Sequence, residues 1–184
     1  MHQKKGKWTV ETVVFMSFFV AMNIVLTRFC SIELGPYRLG FGPAAIIMSG
    51  LWLGPVAGGI VGLVSDLIGC LIKGYAVNPF ITVSAIVWGV VPAVMSLKFR
   101  KGSTGKVTAG ISVSVASAAV LSTLVFNTAG MVLFMGYSFY AIFPGRVIQF
   151  VIMTPILCVI AVSLYLSPLT RILAGYLRER RAGA

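Results

Sequence analysis

Residues 39–65, LGFGPAAIIMSGLWLGPVAGGIVGLVS, form an uncharged run that is interrupted in its middle by the Gly-Pro pair Gly54-Pro55. A glycine just after one helix and a proline in the first turn of the next is the usual sequence of a helix end followed by a helix start. We therefore predict a short helix over about 40–53 and a second helix over about 55–72.

Four further uncharged runs occupy most of the remaining chain, at 12–27, 74–97, 107–145 and 147–170. A membrane span needs about 20 apolar residues, so four more helices are predicted, over about 11–28, 79–97, 107–134 and 142–166. The sequence predicts an all-α membrane protein, a single six-transmembrane-helix bundle in one domain covering 1–184. Its end, 168–184, is predicted to be a cytoplasmic tail with a basic helix along the membrane surface.

The composition excludes other classes of protein. Of the 184 residues, 58% are hydrophobic and 10% are charged, and the mean hydropathy is +0.98. Soluble domains carry about 25% charged residues, so a soluble domain, a disordered chain and a disulfide-stapled secreted module do not fit. The net charge of +11 does not indicate nucleic-acid binding, because the basic residues stand at the ends of apolar runs.

The distribution of basic residues predicts the orientation in the membrane. With six spans, both termini and the loop between the fourth and fifth helices lie on one side. Eleven of the 15 basic residues fall on that side: Lys4, Lys5, Lys7, Lys98, Arg100, Lys101, Lys106, Arg171, Arg178, Arg180 and Arg181. Because loops rich in Lys and Arg stay in the cytoplasm, we predict cytoplasmic termini and a multi-pass protein of the cell membrane.

Four basic residues lie on or near the outer side instead, namely Arg28, Arg38, Lys73 and Arg146. They outnumber the two acidic residues there, Glu33 and Asp66, by two charges. One interpretation is structural: Asp66 pairs with an arginine, and the other cations reach lipid phosphates. The other is functional, because ionisable residues inside membranes usually mark binding sites and arginine binds carboxylates through two parallel hydrogen bonds. It predicts a site for an organic anion such as a dicarboxylate.

Aromatic side chains near the same end could form part of such a site. They are Tyr37, Tyr75, Phe80, Trp88, Phe139 and Tyr140. Each one alone is better explained as part of an interfacial aromatic belt, but together they could enclose a flat ring. Asp66 could accept two hydrogen bonds from a pterin-like edge. Asn78, Asn127 and Gln149 are further polar candidates, and Gln149 shares a helix face with Arg146.

Two pairs of small residues would allow helices to approach closely: Ser17 with Ala21, and Gly58 with Gly62. Packing within the bundle is the simpler explanation for the glycine pair. The first helix could instead present Ser17 and Ala21 to another subunit.

No catalytic or metal site is predicted. The segment 102–106, GSTGK, resembles a phosphate loop, but Arg100 and Val107 stand where that motif needs Gly and Ser or Thr. Cys30, Cys70 and Cys158 are scattered, and the single histidine cannot complete a zinc site. We therefore expect a protein that is not an enzyme and has no cofactor.

Several segments resemble the S components of energy-coupling factor (ECF) transporters, the substrate-binding membrane subunits of vitamin importers. These segments are Thr27-Arg28-Phe29, RLGFGP at 38–43, GLWLGPVAG at 50–58, DLIG at 66–69 and FPGRVIQ at 143–149. The last of these is similar to the sixth-helix entry of the folate-specific members.

The resemblance implies six helices, cytoplasmic termini, and a vitamin site near the outer face of a bacterial plasma membrane. It implies partners, a transmembrane coupling subunit and two ATPase subunits, with Ser17 and Ala21 as the docking motif. Folate would fit the residues: Arg28, Arg38 and Arg146 are carboxylate candidates, and Asp66 is a pterin candidate. Tyr75, Phe80, Trp88, Asn127 and Gln149 complete the predicted binding set.

Two other functions stay open at this point. The chain could be an S component for another vitamin, such as riboflavin, thiamine or biotin. It could also be a small anion carrier or channel that works alone.

Overall fold

The long apolar helices of the computed structural model follow the uncharged runs of the sequence. The structure describes residues 10–34, 37–99, 102–170, 172–173 and 175, without the side chains of residues 33, 34 and 38. Its elements are α1 Val10–Phe29, β1 Ser31–Leu34, β2 Tyr37–Gly40, α2 Gly42–Leu53, α3 Pro55–Lys73, α4 Pro79–Ser96, α5 Thr104–Met135 and α6 Phe139–Leu166.

Five of these helices, α1, α3, α4, α5 and α6, are long and apolar enough to cross a membrane. The α2 helix has 12 residues and therefore a length of about 18 Å, shorter than the roughly 30 Å of a hydrocarbon core. Most of its residues are buried by α1, α3 and α4. A helix that is apolar on all sides and buried belongs to a core, so α2 is the centre of the bundle.

The break between α2 and α3 lies at Gly54, which has a φ of 106°. That conformation favours glycine, and Pro55 begins α3 directly afterwards. The other helices differ from expectation mainly at their starts, because α5 and α6 each begin three residues earlier than predicted. Lys106 is tolerated in the first turn of α5, and Pro144 interrupts α6 only near its exposed start.

The all-α prediction needs one correction, because β1 and β2 form an antiparallel hairpin between α1 and α2. In its register Ile32 pairs with Leu39, and Leu34 pairs with Tyr37. Apolar and polar residues alternate along these short strands, as in a sheet with two different faces. Two strands of four residues each are too short to stand out in a search for apolar runs.

The predicted basic tail lies largely outside the described residues. Residues 168–170, 172–173 and 175 are helical. The basic residues used for orientation that fall outside the description are Lys4, Lys5, Lys7, Arg100, Lys101, Arg171, Arg178, Arg180 and Arg181.

Glycines bring α2, α3 and α4 into backbone contact. A Cβ atom on Gly58 would lie 2.6 Å from the Cα of Gly50 and 2.8 Å from the carbonyl oxygen of Gly89. A Cβ on Gly62 would likewise meet the backbone of Ala85. The small pair on α3 therefore packs inside the bundle, as close helix approach requires.

We expect Gly58→Leu to lower the apparent melting temperature of the purified protein by on the order of 10 °C, because the inserted side chain overpacks the core by about 3 kcal/mol. Thermal unfolding in detergent measures the effect. Gly105→Leu is the control, since a Cβ placed at that exposed helical glycine would meet no described atom within 4 Å beyond its own helical turn. Equal melting temperatures for the two variants would contradict this account of the packing.

Candidate ligand-binding cavity

A cavity of about 500 Å³ opens at one end of the bundle. At this end α1, α3 and α5 finish and α2, α4 and α6 begin, and all six helices contribute to its wall. The hairpin adds Tyr37 and Gly40 to the wall. The volume lies within the range of about 300–1,000 Å³ that is usual for small-molecule sites.

Three cationic side chains line the cavity: Arg28, Lys73 and Arg146. Arg28, at the end of α1, donates a hydrogen bond from Nη2 to the carbonyl oxygen of Gly69 at 2.9 Å. Lys73, at the end of α3, holds its Nζ 5.4 Å from the centre of the Tyr75 ring. The ends of α1 and α3 thus each place one positive charge in the cavity wall.

Arg146 is the most buried of these cations, with 6% of its surface exposed. Its Nη1 donates to Oε1 of Gln149 at 2.9 Å, one turn further along α6. Its Nη2 contacts Sδ of Met131, and its guanidinium carbon lies 5.9 Å from the centre of the Tyr37 ring. A buried guanidinium is costly, and these contacts fix its orientation in the cavity wall.

Asp66 is the one carboxylate among the described residues that line the cavity. Its Oδ2 accepts a hydrogen bond from Oγ1 of Thr82 at 2.6 Å, which orients the group between α3 and α4. Among the described side chains, the hydrogen bond of Arg28 goes to the backbone carbonyl of Gly69 and that of Asp66 comes from Thr82. The described lining therefore carries three positive charges and one negative charge.

The hairpin is held against the start of α6 by Tyr37. The Tyr37 hydroxyl donates to the carbonyl oxygens of Ala141 and Ile142, at 3.2 and 3.3 Å. The ring occupies the space that a side chain at Gly145 would need. Because Arg146 follows directly, the hairpin, the helix start and the buried cation form one packed unit over the cavity.

A π-helical segment, Val120–Asn127, interrupts the α-helical pattern of α5. Thr123 and Asn127 of this segment line the cavity. The hydroxyls of Ser84, which also lines the cavity, and of Ser122 contact each other and tie α4 to α5. Such segments are frequent at functional sites because they change the direction of side chains within a helix.

Most of the predicted binding residues lie around this cavity. The lining includes Arg28, Asp66, Tyr75, Trp88, Asn127, Arg146 and Gln149. Phe80 is not in the lining, since it packs edge-to-face on Phe134 with ring centres 5.9 Å apart. Arg38 pairs with Glu33 in the hairpin backbone, and its side chain lies outside the described part.

Sequence reasoning did not include Lys73, Ser65 or Thr123 in the binding set, although all three line the cavity. The position of Lys73 at an outer helix end was a usable signal. The two hydroxyl residues carried none, because serine and threonine inside an apolar helix commonly bond to their own backbone.

The second predicted surface lies on α1, away from the cavity. Ser17 and Ala21 are both exposed, one turn apart. The Ser17 hydroxyl donates to the carbonyl oxygen of Val13 at 3.0 Å, so its polar group is satisfied within the helix and the side chain leaves room for close approach of another helix.

A family model and a relative among known proteins both match most of this chain. The family model described as ECF-type riboflavin transporter, S component, matches residues 7–168. The folate transporter FolT of Clostridium novyi (strain NT) is 35% identical over 149 residues, which are 80% of this chain and 83% of that protein.

Two solved structures share the fold at 22% sequence identity. The crystal structure of FolT bound with folic acid has a TM-score of 0.69 and covers 82% of this chain and 90% of that chain. The structure of the S component of a bacterial ECF transporter has a TM-score of 0.63 and covers 91% of this chain and 97% of that one.

Proposed function

This chain belongs to the S components of ECF-type transporters, and we propose that it binds folate tightly at the outer face of the membrane for import. The observation that carries the proposal is the charge of the cavity. Arg28, Lys73 and Arg146 exceed Asp66 by two positive charges, which matches the two carboxylates of a folate. The 35% identity to a folate transporter supports the same ligand.

The cavity also suggests an orientation for the ligand. Lys73 is seven residues beyond Asp66 on α3, which is about 10 Å along a helix. Lys73 therefore lies about two helical turns closer to the end of α3 than Asp66 does, and Trp88 is buried in the cavity wall. We propose that the pterin ring enters first, that Asp66 accepts hydrogen bonds from its N–H groups, and that the glutamate carboxylates meet the cations.

Riboflavin is the second candidate, because the matching family model carries its name. A riboflavin side chain is an uncharged polyol, so it offers no partner for two surplus cations in a partly dry cavity. Burying cations without anions is unfavourable. The charge of the cavity therefore favours folate over riboflavin.

Calorimetric titration of the detergent-purified protein tests this choice. We expect folic acid to bind saturably with one molecule per chain, and riboflavin at the same concentrations not to displace it. Riboflavin binding that excludes folic acid would contradict the proposal and favour the other vitamin.

The family further supports an assembly and a topology. We propose that α1 to α6 make six passes of a bacterial plasma membrane with both termini in the cytoplasm. The exposed Ser17 and Ala21 on α1 would face a transmembrane coupling subunit, and two ATPase subunits would supply the energy for release. Folate uptake by liposomes that contain this chain alone would favour the stand-alone carrier instead.

A further inference from the structure

One buried hydroxyl in the cavity wall lacks a hydrogen-bond partner among the described residues. Ser65 on α3 is 4% exposed, and its Oγ makes no hydrogen bond within the part of the chain that the structure covers. The other buried serines all have one: Ser49, Ser84, Ser96, Ser114 and Ser122. Ser65 therefore differs from the other buried serines, including Ser84, which lines the same cavity.

The exception is informative because a helical serine has an easy alternative. Ser49, Ser96 and Ser114 turn their hydroxyls to the carbonyl oxygen three residues back, at 2.7 to 2.9 Å. Such bonds are the usual way to satisfy a hydroxyl in an apolar helix. A buried polar atom without a partner is unfavourable and uncommon in folded proteins.

The location of Ser65 indicates what could satisfy it. Ser65 lines the cavity directly before Asp66 in the chain, and Trp88 and Thr123 also contribute to the wall. It lies eight residues below Lys73 on the same helix, which is about 12 Å from the charged open end. The hydroxyl is thus placed for the end of a ligand that enters ring first.

We propose that the Ser65 hydroxyl binds the ring of the ligand beside Asp66, and this rests on the proposed function. A carboxylate only accepts hydrogen bonds, whereas a hydroxyl also donates one. A pterin edge presents N–H donors next to a carbonyl oxygen. Asp66 takes the donors and Ser65 donates to the acceptor, so the two neighbouring residues read both kinds of group.

The variant Ser65→Ala tests this assignment by two measurements that move in different directions. We expect the affinity for folic acid to fall about 10-fold, which is about 1.4 kcal/mol. The melting temperature of the ligand-free protein should stay the same or rise, because a buried hydroxyl without a partner is removed. A lower melting temperature with unchanged affinity would show a structural role and overturn the assignment.

Ser114→Ala is the matched control. Ser114 is also buried, donates to the carbonyl oxygen of Ile111 at 2.8 Å and does not line the cavity. Its replacement should leave the affinity for folic acid within twofold of wild type. A loss equal to that of Ser65→Ala would overturn the assignment, because any buried serine would then have the same effect.

Fragments of folate locate the contact. We expect Ser65→Ala to weaken pteroic acid, which lacks the glutamate, by the same factor as folic acid, and to leave p-aminobenzoylglutamate unaffected. Equal affinity of Ser65→Ala and wild type for folic acid would overturn this inference alone. Failure of the wild type to bind folic acid would overturn the proposed function and this inference with it.

Discussion

Replacing Arg146 by alanine is expected to weaken folic acid binding by about 100-fold. The guanidinium is buried and oriented by Gln149 and Met131, so it can meet a carboxylate without further ordering. Removing one partner of a buried, hydrogen-bonded charge pair costs about 2–5 kcal/mol, largely because the other charge is left without a partner.

Titration with two ligands measures this effect. Pteroic acid should bind Arg146→Ala almost as well as wild type, because it lacks the glutamate that the cation holds. Arg146→Lys keeps the charge but not the planar fork and should lie between wild type and alanine. Unchanged folic acid affinity in Arg146→Ala would remove this residue from the binding site.

The second large effect is expected for Asp66→Asn, which should weaken folic acid and pteroic acid alike by about 30-fold. Asparagine keeps the shape of the side chain and can still accept the hydrogen bond from Thr82. One of its two terminal atoms is now a donor, however, and it would face an N–H donor of the pterin. Hydrogen bonds to a charged group contribute about 1.5–3 kcal/mol, which sets the size of the loss.

p-Aminobenzoylglutamate provides the control for this variant, since it has no pterin and should bind both forms equally. If Asp66→Asn lost affinity for this fragment as well, the change would have disturbed the whole cavity. Binding of folic acid by Asp66→Asn within threefold of wild type would contradict the proposed contact with the ring.

Hydropathy and turn chemistry were sufficient to predict the helices. The break at Gly54-Pro55 is visible in the sequence because glycine suits the positive φ at the end of α2 and proline suits the first turn of α3. The hairpin was not predicted, since its pairing depends on contacts across the chain, such as Tyr37 against Gly145. The predicted helix over 107–134 did not include the π-helical segment Val120–Asn127, because hydropathy does not distinguish an α-helix from a π-helix.

Charge was the best guide to the candidate site. An arginine or aspartate inside a membrane needs a reason to be there, and Arg28, Asp66 and Arg146 do line one cavity. Neutral groups give no such signal. Phe80 and Trp88 are both aromatic residues of α4, but Phe80 packs on Phe134 and not in the cavity wall. Ser65 is recognisable only in three dimensions, where its hydroxyl lacks a hydrogen-bond partner among the described residues.

The most direct test of the central claim is to identify the small molecule that remains bound after gentle purification. Denaturing the protein and analysing the released compound by mass spectrometry makes no assumption about the ligand. A cavity with two surplus positive charges predicts a folate, with its pterin ring and glutamate carboxylates. Release of riboflavin, or of another uncharged vitamin, would contradict the account.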